Sequence, residues 1–398
     1  MTLDQVIASK IVIYSHFATT GACEELRDWL VSIGVREVVY VAFPFGRCPD
    51  CFIRVEHYRQ GQLIKVRHSL FRFKLPDSVA YAKDFAYALL YAVRFARGAD
   101  VLVAGDNLLA WAGALSRCVS RARRIVYYMI DYTPVRYGNR FLNSLYYWVD
   151  RQAACRADAV WPLTPQIIRG RFDAGRLDPH RVRWYTVPYG SHPVAQGAAP
   201  ASFTVTNVVY MGDLVRNKGA ELFVPMAREL KRIVPDFTFT VIGGGQYLPT
   251  LRAEVEQAGL QDHFTILGFV ASIHEVVAHL VKGGVAIAPY YPHDSNSFTF
   301  FSDPGKIKVY LGCGLPIVLT DVPPIAKTLE AEGAGRIASY DAADMAVQVA
   351  ALMRSPDYLR RRADALRMGQ DSEWGKLFVE AFSRLGGGCS TGRESTCV

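Results

Sequence analysis

One pattern constrains this chain more than any other: a short apolar, β-branched run, a turn at glycine or proline, then a stretch of helical spacing, repeated along most of its length. In the second half the runs 206–211, 237–242, 264–267 and 285–288 end at Gly212, at Gly243-Gly244-Gly245, at Gly268 and at Pro289. Helical spacing follows over 221–233, 248–258 and 274–281. The first half reads the same way, with strands at 10–14, 37–43, 101–104, 124–130, 159–163 and 183–187. Helices are expected up to Leu30 and over 78–98, 108–120 and 142–155. Residues 50–73 read as a hairpin or irregular region, and 341–354 and 358–385 as terminal helices. Strands alternating with helices give parallel sheets covered on both faces, hence an α/β fold. The small, uncharged segment 191–202 (SHPVAQGAAPAS) reads as a linker between domains 1–190 and 203–355. The Gly/Ser/Thr-rich tail 386–398 is expected to be disordered.

The 398 residues suit two or three domains. Met1 to Gln5 lacks the basic start and apolar block of a secretory signal, and no window reaches the ~20 apolar residues of a membrane span. The expectation is a cytoplasmic protein that touches the inner face of the plasma membrane without crossing it. Charge is uneven. Residues 1–190 hold 26 Lys and Arg against 16 Asp and Glu, or +10, and the remainder 19 against 21, or −2. A basic first half points to an anionic partner or to a merely solvated surface. With no nucleic-acid motif present, an anionic membrane is preferred, through the basic and aromatic stretch 54–97. Eight scattered cysteines read as reduced thiols, and Cys48-Pro49-Asp50-Cys51 as a structural loop, because no second pair follows to complete a zinc site.

In open α/β sheets ligands lie beyond the carboxyl ends of the strands, so the four turns of the second half face one site. Gly212-Asp213-Leu214-Val215-Arg216-Asn217-Lys218-Gly219 brings two cations suited to a pyrophosphate. Gly243 and Gly244 permit close backbone approach, and Phe269-Val270 supplies apolar contact and main-chain hydrogen bonds for a base. The stretch 302–320 reads as a loop, helix, turn and strand. Ser302 and Asp303 cap the helix, Pro304 takes its first position, and Gly312 and Gly314 stop it. Ser302, Asp303, Pro304, Gly305 and Lys306 then form a phosphate-binding helix start.

The ordered set VVYMGDLVRNKG, FTVIGGG, FTILGFV, VAIAPY and PGKIKVYLGCGLPIVLTD resembles the donor domain of GT-B glycosyltransferases, nearest to retaining glycosyltransferase family 4. Val187-Pro188-Tyr189-Gly190-Ser191 is similar to that family's linker segment, and the absence of an Asp-x-Asp triplet agrees. The resemblance implies two Rossmann-like domains facing a cleft, with C-terminal helices 356–385 returning to the first. It implies transfer of a hexosyl group from a UDP- or GDP-sugar to a cell-envelope glycan or lipid-linked acceptor, without metal or cofactor. Lys218 matches the lysine that stabilises the departing diphosphate, with Arg216 and Lys306 as helpers. The family's arginine is replaced by Asp213, and its two ribose-side carboxylates by Phe301 and Val309. In the first half, Asp131 is a candidate hydrogen-bond acceptor or base, and His16, Gly21, Tyr132 and Arg136 are acceptor-side candidates. Two alternatives stay open: a non-catalytic nucleotide-sugar-binding subunit or sensor, and a nucleotide-sugar epimerase of the same fold.

Overall fold

The computed structural model describes residues 1–17, 21–44, 52–71, 73–194, 203–292 and 298–386. The chain divides into two compact units, Met1–Pro188 with Trp374–Val398, and Tyr189–Glu373.

The strands of the first unit are β1 (Lys10–Phe17), β2 (Glu37–Pro44), β3 (Arg54–Arg59), β4 (Gln62–His68), β5 (Val101–Ala104), β6 (Arg124–Met129) and β7 (Ala159–Pro162). They form one sheet in the order β4-β3-β2-β1-β5-β6-β7. β3 pairs antiparallel with both β2 and β4 at one edge, and the other pairs are parallel. The central strands are buried on both faces, which is why they read as unbroken apolar runs. Its helices are α1 (Leu3–Ile7), α2 (Ala22–Ser32), α3 (Asp77–Phe95), α4 (Asn107–Leu115), α5 (Arg117–Ser120), α6 (Arg140–Arg156) and α7 (Pro165–Asp173).

In the second unit β8 (Asn207–Met211), β9 (Thr238–Ile242), β10 (Phe264–Gly268), β11 (Val285–Ala288), β12 (Ile317–Thr320) and β13 (Gly335–Ala338) run parallel. Their order is β10-β9-β8-β11-β12-β13. The helices are α8 (Phe223–Ile233), α9 (Leu248–Gln257), α10 (Ile273–Leu280), α11 (Gly305–Gly312), α12 (Ala326–Ala331), α13 (Ala342–Met353) and α14 (Tyr358–Asp371). One apolar cluster joins α8, α9 and α13 to one sheet face, and another joins α10, α11 and α12 to the other.

Several expectations change. Residues 183–187 form no strand, only a bridge from Trp184 to Val160. The helix expected over 108–120 breaks at Ser116, where α5 begins. The long terminal helix divides at Ser372-Glu373 into α14 and α15 (Trp374–Gly386). Only α15 belongs to the first unit; α14 stays in the second, where its Gly369 lies flush against the Leu311 carbonyl. The Cys48–Cys51 loop, most of the linker (195–202) and the tail from 387 lie outside the described residues.

Candidate functional site

The order of the second sheet reverses between β8 and β11, so its crevice opens at their carboxyl ends. Backbone hydrogen bonds lace the turns there. Gly243 N–H donates to the Gly268 carbonyl (2.8 Å), Gly212 N–H to Ile242 (2.9 Å) and Leu214 N–H to Gly244 (2.8 Å). Tyr291 N–H reaches the Asn217 carbonyl at 3.2 Å, tying the turn after β11 to the same group. Glycine is required at the tightest contact: Gly243 has φ +148°, and a Cβ would sit 1.9 Å from the Gly212 carbonyl oxygen.

Two lysines meet over this frame. Met211 N–H donates to the Tyr310 hydroxyl (2.7 Å), which fastens α11 to the end of β8. One turn earlier on α11, Lys306 Nζ lies 4.3 Å from the Tyr210 ring centroid and 5.3 Å from that of Tyr290, and donates to the Tyr210 hydroxyl at 3.2 Å. Gly212 makes room for it, since a Cβ there would be 3.2 Å from Nζ. Burial, then the Lys218 charge, lowers the Lys306 ammonium to about 7, with Asp213 opposing. Lys218 ion-pairs with Asp213 at 2.6 Å in the turn after β8. The Arg216 guanidinium sits 5.4 Å from the Tyr247 ring, and Tyr340 holds its carbonyl at 3.2 Å. Phe269 is 81% exposed beside Gly244, whereas Val270 turns back to pack on the core.

The start of α11 corrects the expected capping. Pro304 is the cap and Gly305 the first helical residue. Ser302 is buried, and among the described residues its hydroxyl has no hydrogen-bond partner. Asp303 is buried too, accepting from Tyr189 N–H (2.9 Å) and pairing with Lys308 at 3.3 Å. Burial raises its carboxyl, with Lys308 opposing. The Asp303 side chain therefore holds the loop in place. Gly312 remains helical against the His192 carbonyl, and only Gly314, at φ +66°, takes the left-handed stop. Val309 packs on the apolar cluster, so α11 offers no carboxylate there.

The first-unit candidates fall into two groups. His16, at the end of β1, is clamped by Asp106 at the start of α4 (Nδ1–Oδ2 2.7 Å) and Asp84 on α3 (Nε2–Oδ2 3.5 Å). Burial alone would lower its pKa, but Asp106 and then Asp84 reverse that and lift it to about 9. Gly21 precedes α2, and the space a side chain would take is filled by Glu24 Oε2. Asp131 pairs with Arg136 at 2.8 Å, and Arg136 also lies 4.8 Å from the Tyr146 ring. Tyr132 is buried, donating to the Gly170 carbonyl and sandwiched near Arg171 and Arg176, so it is a packing residue rather than a sugar platform. Sequence reasoning missed Tyr210, Tyr290, Tyr310 and Tyr340. Nothing in their spacing distinguishes them from ordinary strand and helix aromatics.

Two α/β units, the second with glycine turns and cations where its strand order reverses, define the GT-B class of fold. Solved structures agree. The Anabaena HepE protein in complex with UDP superposes with a TM-score of 0.62 at 14% identity, over 94% of this chain and all of that one. A sucrose-phosphate synthase from Thermosynechococcus elongatus gives 0.65 at 16%, over 94% and 98%. Residues 205–355 match the family model of glycosyl transferases group 1, so this stretch is a domain of that family. Among curated relatives, the alpha-D-kanosaminyltransferase of Streptomyces kanamyceticus is 28% identical over 39% of each chain. A GDP-mannose-dependent phosphatidylinositol monomannoside mannosyltransferase of Mycolicibacterium smegmatis is 30% identical over 28% of each. The matched stretches thus span well under half the length of these relatives.

Proposed function

We propose that this chain is a hexosyltransferase that moves a sugar from a UDP- or GDP-sugar to a cell-envelope glycan or lipid-linked acceptor, with retention of configuration. It would work in the cytoplasm against the inner membrane face. The observation that carries this is the convergence of Lys218 and Lys306 on glycine turns at the reversal of the second sheet. Departure of a nucleoside diphosphate builds negative charge on its outer phosphate, and fixed cations lower that barrier. Lys218 is the principal stabiliser in this reading, with Lys306, Arg216 and the amides of 303–306 beside it. Phe269, standing out beside Gly244, takes the face of the base. The relatives support the donor class: one is GDP-mannose-dependent, and HepE was solved with UDP. Arg136 already neutralises Asp131, so Asp131 serves only as an acceptor-side hydrogen-bond partner.

Melting curves with UDP, GDP, ADP and CMP identify the nucleotide, because a ligand of the native state raises the melting temperature. With the matching donor, Lys218→Ala is expected to lower turnover about 10²-fold or more while nucleotide binding survives in weakened form. Tight nucleotide binding without turnover of any donor by the unaltered protein would instead make it a binding subunit.

A further inference from the structure

Helix α6 carries an apolar stripe on its solvent side. Phe141, Leu145 and Trp148 are 73%, 45% and 48% exposed, and their spacing of four and three residues sets them in one row. The inward side is occupied by Tyr147, Val149, Asp150, Ala153 and Ala154. The acid of α6, Asp150, is fully buried in an ion pair with Arg171 (2.7 Å), so none remains on the outer face. At about 100° per residue, Arg140 and Arg151 fall on one flank of the stripe and Arg156 on the other. The next helices continue the surface: Trp111 of α4 meets Trp148 at 5.1 Å, and Leu115 and Val119 are 44% and 54% exposed.

A helix ordinarily turns its apolar stripe inward, and an outward one edged by cations marks an interaction surface. We propose that this face of α6 lies on an anionic lipid bilayer, with Phe141, Leu145 and Trp148 at the boundary of headgroups and acyl chains and the arginines on lipid phosphates. A second copy of the chain is a poorer occupant, since a self-paired face would set arginine against arginine in a protein of net charge +8. The β3–β4 hairpin, part of the stretch 54–97 favoured by sequence, is also poorer. On β4 the exposed Ile64 and Val66 share one face and the cations Lys65 and Arg67 the other, so apolar and cationic groups do not line one plane. Two cations of that region are held internally, Arg54 by Glu56 (2.8 Å) and Lys83 by Asp84 (3.0 Å). The proposal deepens the reading of a lipid-linked acceptor, but membrane binding is measured without any donor, so the two fail separately.

The test is co-sedimentation of the full chain with phosphatidylcholine vesicles, with and without phosphatidylglycerol. The expected result is binding that requires phosphatidylglycerol and drops about fivefold for each of Arg140→Gln, Arg151→Gln and Arg156→Gln. The double variant Phe141→Ser, Leu145→Ser should lose binding while keeping the unaltered melting temperature; Trp148 is left intact because of its contact with Trp111. Absence of binding to phosphatidylglycerol vesicles overturns the proposal. So does binding lost through Ile64→Ser but not through Phe141→Ser, Leu145→Ser. An arginine-dependent attachment to immobilised polyglutamate that ignores the apolar pair would likewise overturn it, assigning the face to an acidic protein.

Discussion

Lys218 is held at 2.6 Å by Asp213, the residue that stands where the family pattern has an arginine. The pair is largely open to solvent on the aspartate side, 72% against 26% for the lysine, and such pairs contribute only ~0.2–1 kcal/mol. A diphosphate can therefore compete for the ammonium. Asp213→Asn is expected to tighten nucleoside diphosphate binding about two- to fivefold by calorimetry; weaker binding would mean that the carboxylate itself touches the ligand. Lys306 gives a pH signature. Its charge is present below about 7 and lost above it, in surroundings formed by Tyr210, Tyr290, Lys218 and Asp213. Bound phosphate favours the charged form, so between pH 7.5 and 9, where a phosphate is already fully ionised, affinity should fall as pH rises. Calorimetry in two buffers of different ionisation enthalpy should show proton uptake at pH 8, and Lys306→Met should remove it. Both lysines were legible from their places after strand and loop. The Asp213 contact was not, because it depends on how a turn folds back across five residues.

Among the elements, β1, α3 and α4 meet at His16, which two carboxylates clamp from different helices. The sign follows from the raised pKa. The stabilisation is full below the unfolded value near 6.5 and is lost as pH rises through about 9. His16→Asn should cost about 3 kcal/mol in urea denaturation at pH 6, and the gap should close by pH 10. A constant gap would show that packing against Phe43 and Tyr81 carries the effect. The doubly buried strands were readable because burial on both faces writes an apolar run. The short elements α7, α12 and β13 were not: a turn or two of helix leaves little periodicity, and β13 (GRIA) holds a single β-branched residue. Residues 183–187 carry a strand's composition and exchange backbone hydrogen bonds with β7 at Val160 and Pro162, but the pairing does not extend beyond one bridge.

For the molecule as a whole, the order of glycine turns made the two-unit architecture legible, and the family resemblance implied that helices 356–385 return to the first unit, which α15 does and α14 does not. The amphipathic spacing of 358–385 reads as one helix, and only three-dimensional packing reveals where it divides. There Phe378 and Phe382 stack near Trp29, Phe382 also meets Trp161 at 5.5 Å, and the Met1 amine donates to the Phe382 carbonyl at 2.6 Å. Phe382→Ala should cost the first unit about 3–5 kcal/mol. Two-step melting, with the early step unaffected by nucleotide and the late step still raised by it, is the expected reading.

The divided first unit also sets an order of events during synthesis. All of Tyr189–Glu373 must leave the ribosome before α15 exists to cover Trp29 and Trp161. At roughly 5–20 residues per second that interval lasts on the order of ten to forty seconds. Throughout it the second unit is still being made, while the first waits with an aromatic face uncovered, the stage at which a chaperone has most to gain by binding.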